Sequence, residues 1–339
     1  MKKQLLIMAI LSMTLCACNK ETECRTCKEG RPVEVTVQIN GTTMTKSTGN
    51  TYANESKVNN LQIMAFNAAG ELESYIAKDK EELTNELSVK LVASSGEKTV
   101  WALVNAPSLG EVQTLEALES TVSALSDNDL DNFVMTGFTE EVFSDGAVVG
   151  ITVKRLVARV SIAKISTEFP DTPAYQGKTL SIKGIYMLNV PSGVNYALNE
   201  APAQWYNKLS HADEEADKYL YDGLDMNLDN NSSYDVEHAY YPYPNSVDNS
   251  VKNIDEVDRE TWSPRRSILC IEVEYDGKTG YYPLEMPVIE RNKTYSIEEV
   301  VLRRSPADVP YDPIETGEAT LSITVSDWEV GLNLGTIEI

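Results

Sequence analysis

The stretch that decides the fold reads Val33-Glu-Val-Thr-Val-Gln-Ile39, followed by Asn40-Gly-Thr-Thr-Met-Thr-Lys46-Ser47. In its first part, every second residue is apolar and β-branched, namely Val33, Val35, Val37 and Ile39. This period of two predicts a half-buried β-strand. The second part is small, polar and basic near its end, a composition typical of an exposed loop open to proteases. Two interpretations follow: an ordinary first strand of an all-β domain, or a strand that proteolysis removes.

The residues ahead of this strand have the pattern of an exported lipoprotein. A basic start is followed by the apolar run Leu5–Leu15, which is too short to span a bilayer and suits a signal peptide. The run ends in Leu15-Cys-Ala-Cys18, where a small residue before Cys18 resembles a bacterial lipobox. We therefore expect a signal peptide over residues 1–17, a lipidated Cys18 and a tether over residues 18–32. Plain secretion with a cut at Ala17 is the alternative.

Composition narrows the class of protein. The 339 residues carry 52 acidic and 29 basic side chains, a net charge of -23, which argues against a nucleic-acid partner because phosphates would be repelled. Cys24 and Cys27 lie within the tether, where a local disulfide or no role is expected. Beyond the tether only Cys270 remains, so no disulfide framework holds the fold, and the apolar residues around Cys270 predict a small core side chain.

The remaining pattern predicts mostly strands in two units, residues 33–153 and 154–339. Further strands are predicted at Val58–Phe66, Leu87–Val92, Thr99–Val104, Val148–Val153, Lys154–Ile165, Lys178–Asn189, Ser267–Tyr275, Gly280–Met286, Thr294–Arg303 and Ala319–Trp328. A capping box at Ser108–Glu111 predicts a short helix whose apolar positions are Val112, Leu115, Leu118, Val122 and Leu125. The acidic, Tyr-rich stretch Pro191–Ser267 is interpreted as long loops with little core. Asp276-Gly277 predicts a hairpin turn.

Motifs for enzyme chemistry are missing from the sequence. It contains no Gly-rich phosphate loop, no His-Glu-x-x-His and no Gly-x-Ser-x-Gly. The two histidines, His211 and His238, have no nucleophile at a telling spacing, and surface or loop-packing roles are expected. The acidic series that begins at Asp225 lacks the glycine and glutamate of a calcium loop. We therefore expect no enzyme, no cofactor and no metal.

Taken together, these residues resemble the fimbrillins, the pilin subunits of Bacteroidales type V pili. The resemblance covers nearly the whole chain, and the order and spacing of its motifs carry it. The similar segments are Asn19-Lys20 behind the lipobox, Glu55-Ser-Lys-Val58 with the strand Leu61–Phe66, Lys154-Arg155-x-x-Ala158-Arg159, Ile268-Leu-Cys-Ile271, Tyr281-Tyr-Pro283, Ile289-Glu-Arg-Asn-Lys-Thr-Tyr295 and Val325-Ser-Asp-Trp328.

The resemblance implies an all-β fold of two tandem transthyretin-like β-sandwich domains, with a short helix in the first. It implies export as an outer-membrane lipoprotein and then cleavage in the loop after the first strand, so that strand 33–46 leaves and a groove opens. A C-terminal donor segment, residues 316–339, from another copy or a related pilin would fill that groove. Leu321, Ile323 and Val325 are the expected donor side chains, and insertion of Leu332, Leu334, Ile337 and Ile339 instead is left open.

One residue departs from the family pattern. Lys46, before Ser47, stands where the family has the arginine that its protease recognises. Two alternatives remain: a Lys-directed enzyme cleaves after Lys46, or cleavage occurs at Arg31 and the strand is retained. The mature product is thus expected to be an extracellular fimbrial subunit supporting adhesion to host or bacterial surface ligands. The alternative is a tip or anchor subunit, or a carbohydrate-binding surface lipoprotein that stays monomeric.

Overall fold

The structure is a computed structural model, and it describes residues 30–40, 55, 57–83, 87–110, 112–211, 220–248, 262–311, 323–328 and 336–338. Strands dominate these residues, with one short helix, α1 (Leu115–Ser120), and single 3-10 turns at Lys80–Glu82 and Leu125–Asp127. The all-β prediction is therefore confirmed. The strands of the first half are β1 (Pro32–Asn40), β2 (Asn60–Asn67), β3 (Leu72–Asp79), β4 (Ser88–Ser94), β5 (Gly96–Val104), β6 (Val122–Ala124), β7 (Met135–Phe143), β8 (Val148–Thr152) and β9 (Lys154–Arg155).

The later strands begin with a long buried one, β10. They are β10 (Arg159–Thr167), β11 (Leu180–Leu188), β12 (Val190–Pro191), β13 (Gly193–Asn195), β14 (Trp205–Tyr206), β15 (Tyr221–Leu228), β16 (Ser233–Tyr240), β17 (Ile268–Tyr275), β18 (Lys278–Glu285), β19 (Lys293–Ile297), β20 (Glu299–Leu302), β21 (Thr324–Asp327) and β22 (Thr336–Glu338).

Two sheets of the first half enclose one hydrophobic core. The five-stranded sheet has the order β3-β2-β5-β7-β9, and the three-stranded sheet has the order β4-β1-β8. β5 lies between β2 and β7, as the continuous apolar run Thr99–Val104 predicts for a strand that is covered on both faces. One face of the larger sheet packs on the smaller sheet, and the other face packs towards the second half of the chain.

The second half contains a six-stranded and a four-stranded sheet. In the first, β10 pairs antiparallel with β16 and parallel with both β19 and β20, which in turn pair with β21 and β22. The second has the order β15-β11-β17-β18. The hairpin of β17 and β18 turns at Asp276 and Gly277, which have φ angles of 51° and 77°, so this predicted hairpin is confirmed.

The predicted helix start is wrong. The helix begins at Leu115 instead of near Ser108, because the Thr114 side chain caps it by accepting a hydrogen bond from the Ala117 amide. The residues before it are fastened as a loop by the buried Gln62 amide, which donates to the carbonyl oxygens of Ala106 and Pro107.

Two strand predictions also need correction. The interpretation of residues 191–267 as long loops with little core is wrong in two respects, since β13 to β16 lie there and Tyr240 and Tyr243 are fully buried. The predicted single strand Thr294–Arg303 is two strands, β19 and β20, with a break at Glu298. β3 and β7 were not predicted, because neither strand alternates regularly between buried apolar and exposed polar residues; β7 exposes Phe138 and Val142.

The proposed division into residues 33–153 and 154–339 stays a prediction. β9 at the start of the second unit pairs with β7 of the first, and one apolar cluster extends from Met64 and Trp101 into the second half. Cys270 is completely buried beside Tyr186, Leu188 and Ile268, so the prediction that it is a small core residue is confirmed.

Candidate assembly site

The first strand occupies the centre of its sheet. β1 pairs antiparallel with β4 from Pro32 to Gln38 and parallel with β8 from Thr36 to Asn40. β4 and β8 are neighbours of β1 and do not pair with each other. Without β1, the sheet would therefore be split into two strands that face each other across an empty slot, each with unpaired backbone groups. An inserted strand could therefore pair with both edges of the slot.

One face of β1 is part of the core. Its apolar side chains are between 0% and 6% exposed, and they are Val33, Val35, Val37 and Ile39. They belong to one cluster with Leu61 and Ile63 of β2, Val100 of β5 and Ile151 of β8. The predicted alternation of this strand is confirmed, and the slot beneath it is lined by apolar side chains.

The other face of β1 is polar and held by exposed contacts. Glu34 forms an ion pair of 2.7 Å with Lys90 on β4. Both side chains are more than half exposed, so this pair contributes little free energy of unfolding. The Thr36 amide donates to the Ala147 carbonyl at 2.9 Å, just before β8 begins. β1 is therefore stabilised in its sheet mainly by its backbone pairing and its four apolar side chains.

The C-terminal segment is an edge element of the six-stranded sheet. β21 pairs antiparallel with β19, and Val325 lies opposite Tyr295 in backbone register. Ile323 is half-buried and packs against the main core, whereas Leu321 lies outside the described residues. The two segments that the predicted exchange would use are therefore a central strand of one sheet and an edge strand of another.

A buried polar cluster joins the residue after the predicted processing loop to the end of β21. The Glu55 carboxylate accepts hydrogen bonds from Tyr241 Oη at 2.8 Å, Trp328 Nε1 at 2.8 Å and Arg159 Nη1 at 3.0 Å. Its backbone carbonyl accepts from Arg155 Nε at 3.0 Å. Glu55 is 5% exposed, which means that these partners replace the water that its charge has lost.

The indole of Trp328 is enclosed on several sides. The Arg155 guanidinium carbon lies 4.5 Å from the ring centroid. Tyr241 stacks on it at 5.8 Å and Phe133 meets it edge-on at 5.6 Å. The Trp328 amide donates to the Asn292 carbonyl at 3.2 Å. Trp328 ends a strand that the sequence predicts, but no sequence pattern predicts that it meets Glu55 and the two arginines at positions 155 and 159.

Arg291 fastens the two halves near this cluster. Its guanidinium donates to the carbonyl of Arg155 and to both oxygens of Thr136, and also to the Lys154 carbonyl. Burial lowers the pKa of Arg291 to about 10, so it remains charged at neutral pH. The region where β7, β9 and β10 meet is therefore held by guanidinium groups as well as by apolar contacts.

The remaining predicted residues fall into two groups. Cys18, Lys46 and Ser47 lie outside the described residues. His211 and His238 are packing residues: His211 stacks on Tyr221 at 4.4 Å, and the mostly buried His238 bonds to Asp222 at 2.9 Å.

Two kinds of feature are absent from the described part of the chain. No group of three histidine, cysteine, aspartate or glutamate side chains there is placed to hold a metal ion. No helix in that part is both long and apolar enough to cross a membrane.

The fold and sequence resemble proteins of fimbriae. Residues 32–178 match the family model of the major fimbrial subunit protein, FimA. No curated protein matches the sequence of the chain. A fimbrilin from Porphyromonas gingivalis has a similar structure, with a TM-score of 0.58 over 90% of this chain and 96% of that one at 16% identity.

Two further solved structures share the fold. The tip fimbrial protein Mfa3 from Porphyromonas gingivalis, with a C-terminal truncation, gives a TM-score of 0.54 over 88% of this chain and 100% of that one, at 11% identity. A candidate cell adhesion protein from Bacteroides eggerthii gives a TM-score of 0.61 over 88% of this chain and 97% of that one, at 14% identity. Over residues 32–178 the chain therefore matches the family of the major fimbrial subunit protein FimA, and its fold is shared with these solved structures.

Proposed function

We propose that this protein is a structural pilin subunit. It polymerises into surface fimbriae by donor-strand exchange, after proteolysis in the loop behind β1 removes that strand, and the fimbriae support adhesion. The observation that carries the proposal is the position of β1, which is paired on both sides and buries four apolar side chains.

The free energy that β1 contributes by burial implies that a subunit without this strand is unstable. Burying one valine or isoleucine side chain contributes roughly 1.5–3 kcal/mol, so losing all four costs roughly 6–12 kcal/mol. The whole free energy of unfolding of a domain is only about 5–15 kcal/mol. A subunit that has lost β1 is therefore close to unfolding until another strand fills the slot between β4 and β8.

The donor is a C-terminal segment of a second copy or of a related pilin. Leu321, Ile323 and Val325 have the same two-residue spacing as the buried side chains of β1. An inserted strand would add backbone hydrogen bonds along both edges of the slot, a mode of recognition known as strand addition. Because the contact joins the tail of one subunit to the front of another, it does not close on itself and a filament grows.

The proposed life cycle starts at the outer membrane. The precursor is anchored there through acyl chains on Cys18, and the mature subunit is extracellular within the fimbrium. Its partners are then other copies of the chain, related pilins, and surface ligands of a host or of other bacteria. No catalytic step is part of this proposal.

The test is the N-terminus of the native surface protein, measured by mass spectrometry with filament imaging of a Lys46→Ala variant. We expect a start at Ser47 and a loss of filaments in the variant while its precursor is still exported. Lys46→Arg is the matched control, since it keeps the charge and should keep assembly under a trypsin-like enzyme. A start at acylated Cys18 would instead mean that β1 stays and that the protein is an anchor or tip subunit.

A second candidate function, carbohydrate binding by a monomeric surface lipoprotein, is favoured by one cavity. The cavity has a volume of about 410 Å³, in the size range of small-molecule sites. Its lining consists of Pro202, Ala203, Gln204, Trp205, Lys208, Trp262 and Pro264. Trp262 is fixed there by a hydrogen bond from its indole nitrogen to Asn189, and the Lys208 ammonium lies 5.4 Å from its ring centroid.

This cavity combines an aromatic wall with an amide and an ammonium group, which suits a sugar that carries a carboxylate. Titration of the full chain with N-acetylneuraminic acid, followed by tryptophan fluorescence, tests it. Saturable binding that Lys208→Ala abolishes, with no response to glucose, would support this function. No change in fluorescence at millimolar sugar would exclude that ligand.

A further inference from the structure

The cluster around Glu55 brings together both ends of the proposed exchange. Glu55 lies nine residues after Lys46, and Trp328 lies three residues after Val325, the last of the expected donor residues. The two are 273 residues apart in sequence and are joined by a hydrogen bond of 2.8 Å. β21, which ends one residue before Trp328, forms four backbone pairs with β19.

The cluster is well suited to hold a strand that must later leave. Trp328 is 6% exposed, and its ring is covered by Arg155, Tyr241 and Phe133. Its N–H bonds a buried carboxylate, a charge-assisted hydrogen bond of the stronger kind. Pulling β21 away would therefore leave the Glu55 carboxylate with one donor fewer in a site that is largely closed to water.

The charge of the site also favours a specific occupant. The Arg159 guanidinium forms an ion pair with the Glu55 carboxylate, and the Arg155 guanidinium donates to the Glu55 backbone carbonyl. Both guanidinium groups lie within 6 Å of the Trp328 ring centroid. Cations over the face of an indole are attracted by its negative quadrupole, and tryptophan is the best ring for this contact. A phenylalanine could keep the stacking but has no N–H for Glu55.

We propose that Glu55, Arg155, Arg159, Tyr241 and Trp328 form a latch that keeps the C-terminal segment on its own subunit until it is donated. This rests on the proposed function, because it names what restrains the donor segment. Trp328 is the part of the latch that moves, and Glu55 is the fixed group that it leaves. The latch prevents free tails from inserting into the first open slot before the subunit reaches the growing filament.

The test is hydrogen exchange of the backbone amides of residues 324–328, measured on the unassembled, uncut full chain. In Glu55→Gln the acceptor loses its charge while its shape is kept. We expect exchange in β21 to become about tenfold faster, the change that follows when a hydrogen bond to a charged acceptor becomes one to a neutral acceptor. Tyr241→Phe removes one hydrogen bond from Glu55 and should give a smaller increase, and it serves if Glu55→Gln does not fold.

Glu73→Gln is the matched control. Glu73, on β3 of the first half, forms an ion pair of 3.4 Å with the buried Lys98. The Glu73→Gln variant should leave the hydrogen exchange of β21 unchanged. Unchanged exchange of β21 in both latch variants would overturn the proposal, as would an equal increase in Glu73→Gln or throughout the chain.

The latch and the proposed function can fail separately. Exchange is measured before assembly, so it reports on the latch whether or not filaments form. Faster exchange of β21 in the latch variants, in a protein that never assembles, would support the latch as a restraint and count against the pilin function. Filament growth with β21 still protected would show that another segment is donated and would overturn the latch.

Discussion

Val37 of β1 lies directly opposite Val89 of β4, and the two side chains are 0% and 4% exposed. On the other side of β1, Val149 of β8 pairs with the same residue and is 3% exposed. A row of three buried valines thus crosses the sheet, and its middle member belongs to the strand that the proposed function removes. The side-chain packing that stabilises the subunit before processing is therefore the packing that a donor strand would have to restore.

Truncation of this central side chain tests how much β1 contributes. We expect Val37→Ala to lower the free energy of unfolding by about 2 kcal/mol, from lost burial and the cavity that remains. Urea unfolding of the uncut chain measures the change. Gln38→Ala is the control on the same strand, because Gln38 is exposed, and it should change stability by less than about 0.5 kcal/mol. Equal effects of the two variants would mean that β1 is not held by its buried face.

The turn between β17 and β18 makes a backbone prediction. Gly277 has a φ angle of 77°, and an added Cβ would meet no atom within 4 Å. The cost of Gly277→Ala therefore comes from the left-handed backbone alone, and we expect a loss of about 1–2 kcal/mol. Thermal unfolding measures it. Gly150→Ala provides the comparison, since Gly150 has no positive φ and its Cβ would meet only the Asn40 side chain at 3.4 Å. A Gly150→Ala variant as destabilised as Gly277→Ala would rule out the backbone explanation.

The sequence predicts those strands that have one buried face and one solvent-exposed face. β1 is the clearest case, because its alternation is complete and its buried set matches the prediction. The hairpin at Asp276-Gly277 follows equally well, since few residue pairs adopt two positive φ angles. In both cases a local rule decides the structure without reference to distant residues.

The sequence fails where long-range contacts decide. Half of the residues of β15 are exposed and only Leu228 is buried, so an apolar pattern cannot reveal that it pairs with β11. The loop before α1 is fixed by Gln62, which lies more than forty residues earlier. The Glu55 cluster is the extreme case, because it joins residues near both ends of the described chain. Its members could be named from the sequence, but their meeting point depends on the packing of both halves.

Cys270 makes a chemical prediction. Burial raises the pKa of its thiol well above its ordinary value, and the side chain is fully covered. Because the thiolate is the reactive form, we expect iodoacetamide to leave Cys270 unmodified in the folded chain and to alkylate it in urea. Mass spectrometry of the peptide that contains Cys270 measures the extent of alkylation. Rapid alkylation without denaturant would show that the β11–β17 region opens locally, contrary to its burial.

Asp222 makes a prediction about acid. Asp222 of β15 accepts hydrogen bonds from His238 of β16 at 2.9 Å and from Tyr240 at 3.0 Å, so it joins the edge strands of two different sheets. The His238 contact, aided by Tyr240 and opposed by burial, holds the pKa of Asp222 below its ordinary value of 3.8. A carboxyl whose folded pKa is depressed stabilises the fold above its unfolded pKa, and that contribution is lost as pH falls through the folded pKa.

We therefore expect Asp222→Asn to lower the urea midpoint at pH 6 and to bring variant and parent together as the pH falls below about 4. Asp225→Asn is the control on the same strand: the pKa of Asp225 is also lowered, by Lys183, but its side chain is 81% exposed. Solvent screens that pair, so the control should follow the parent at every pH. A difference between Asp222→Asn and the parent that stays constant from pH 6 to pH 3 would show that the lost side chain acts through packing, and that the charge of Asp222 does not hold β15 to β16.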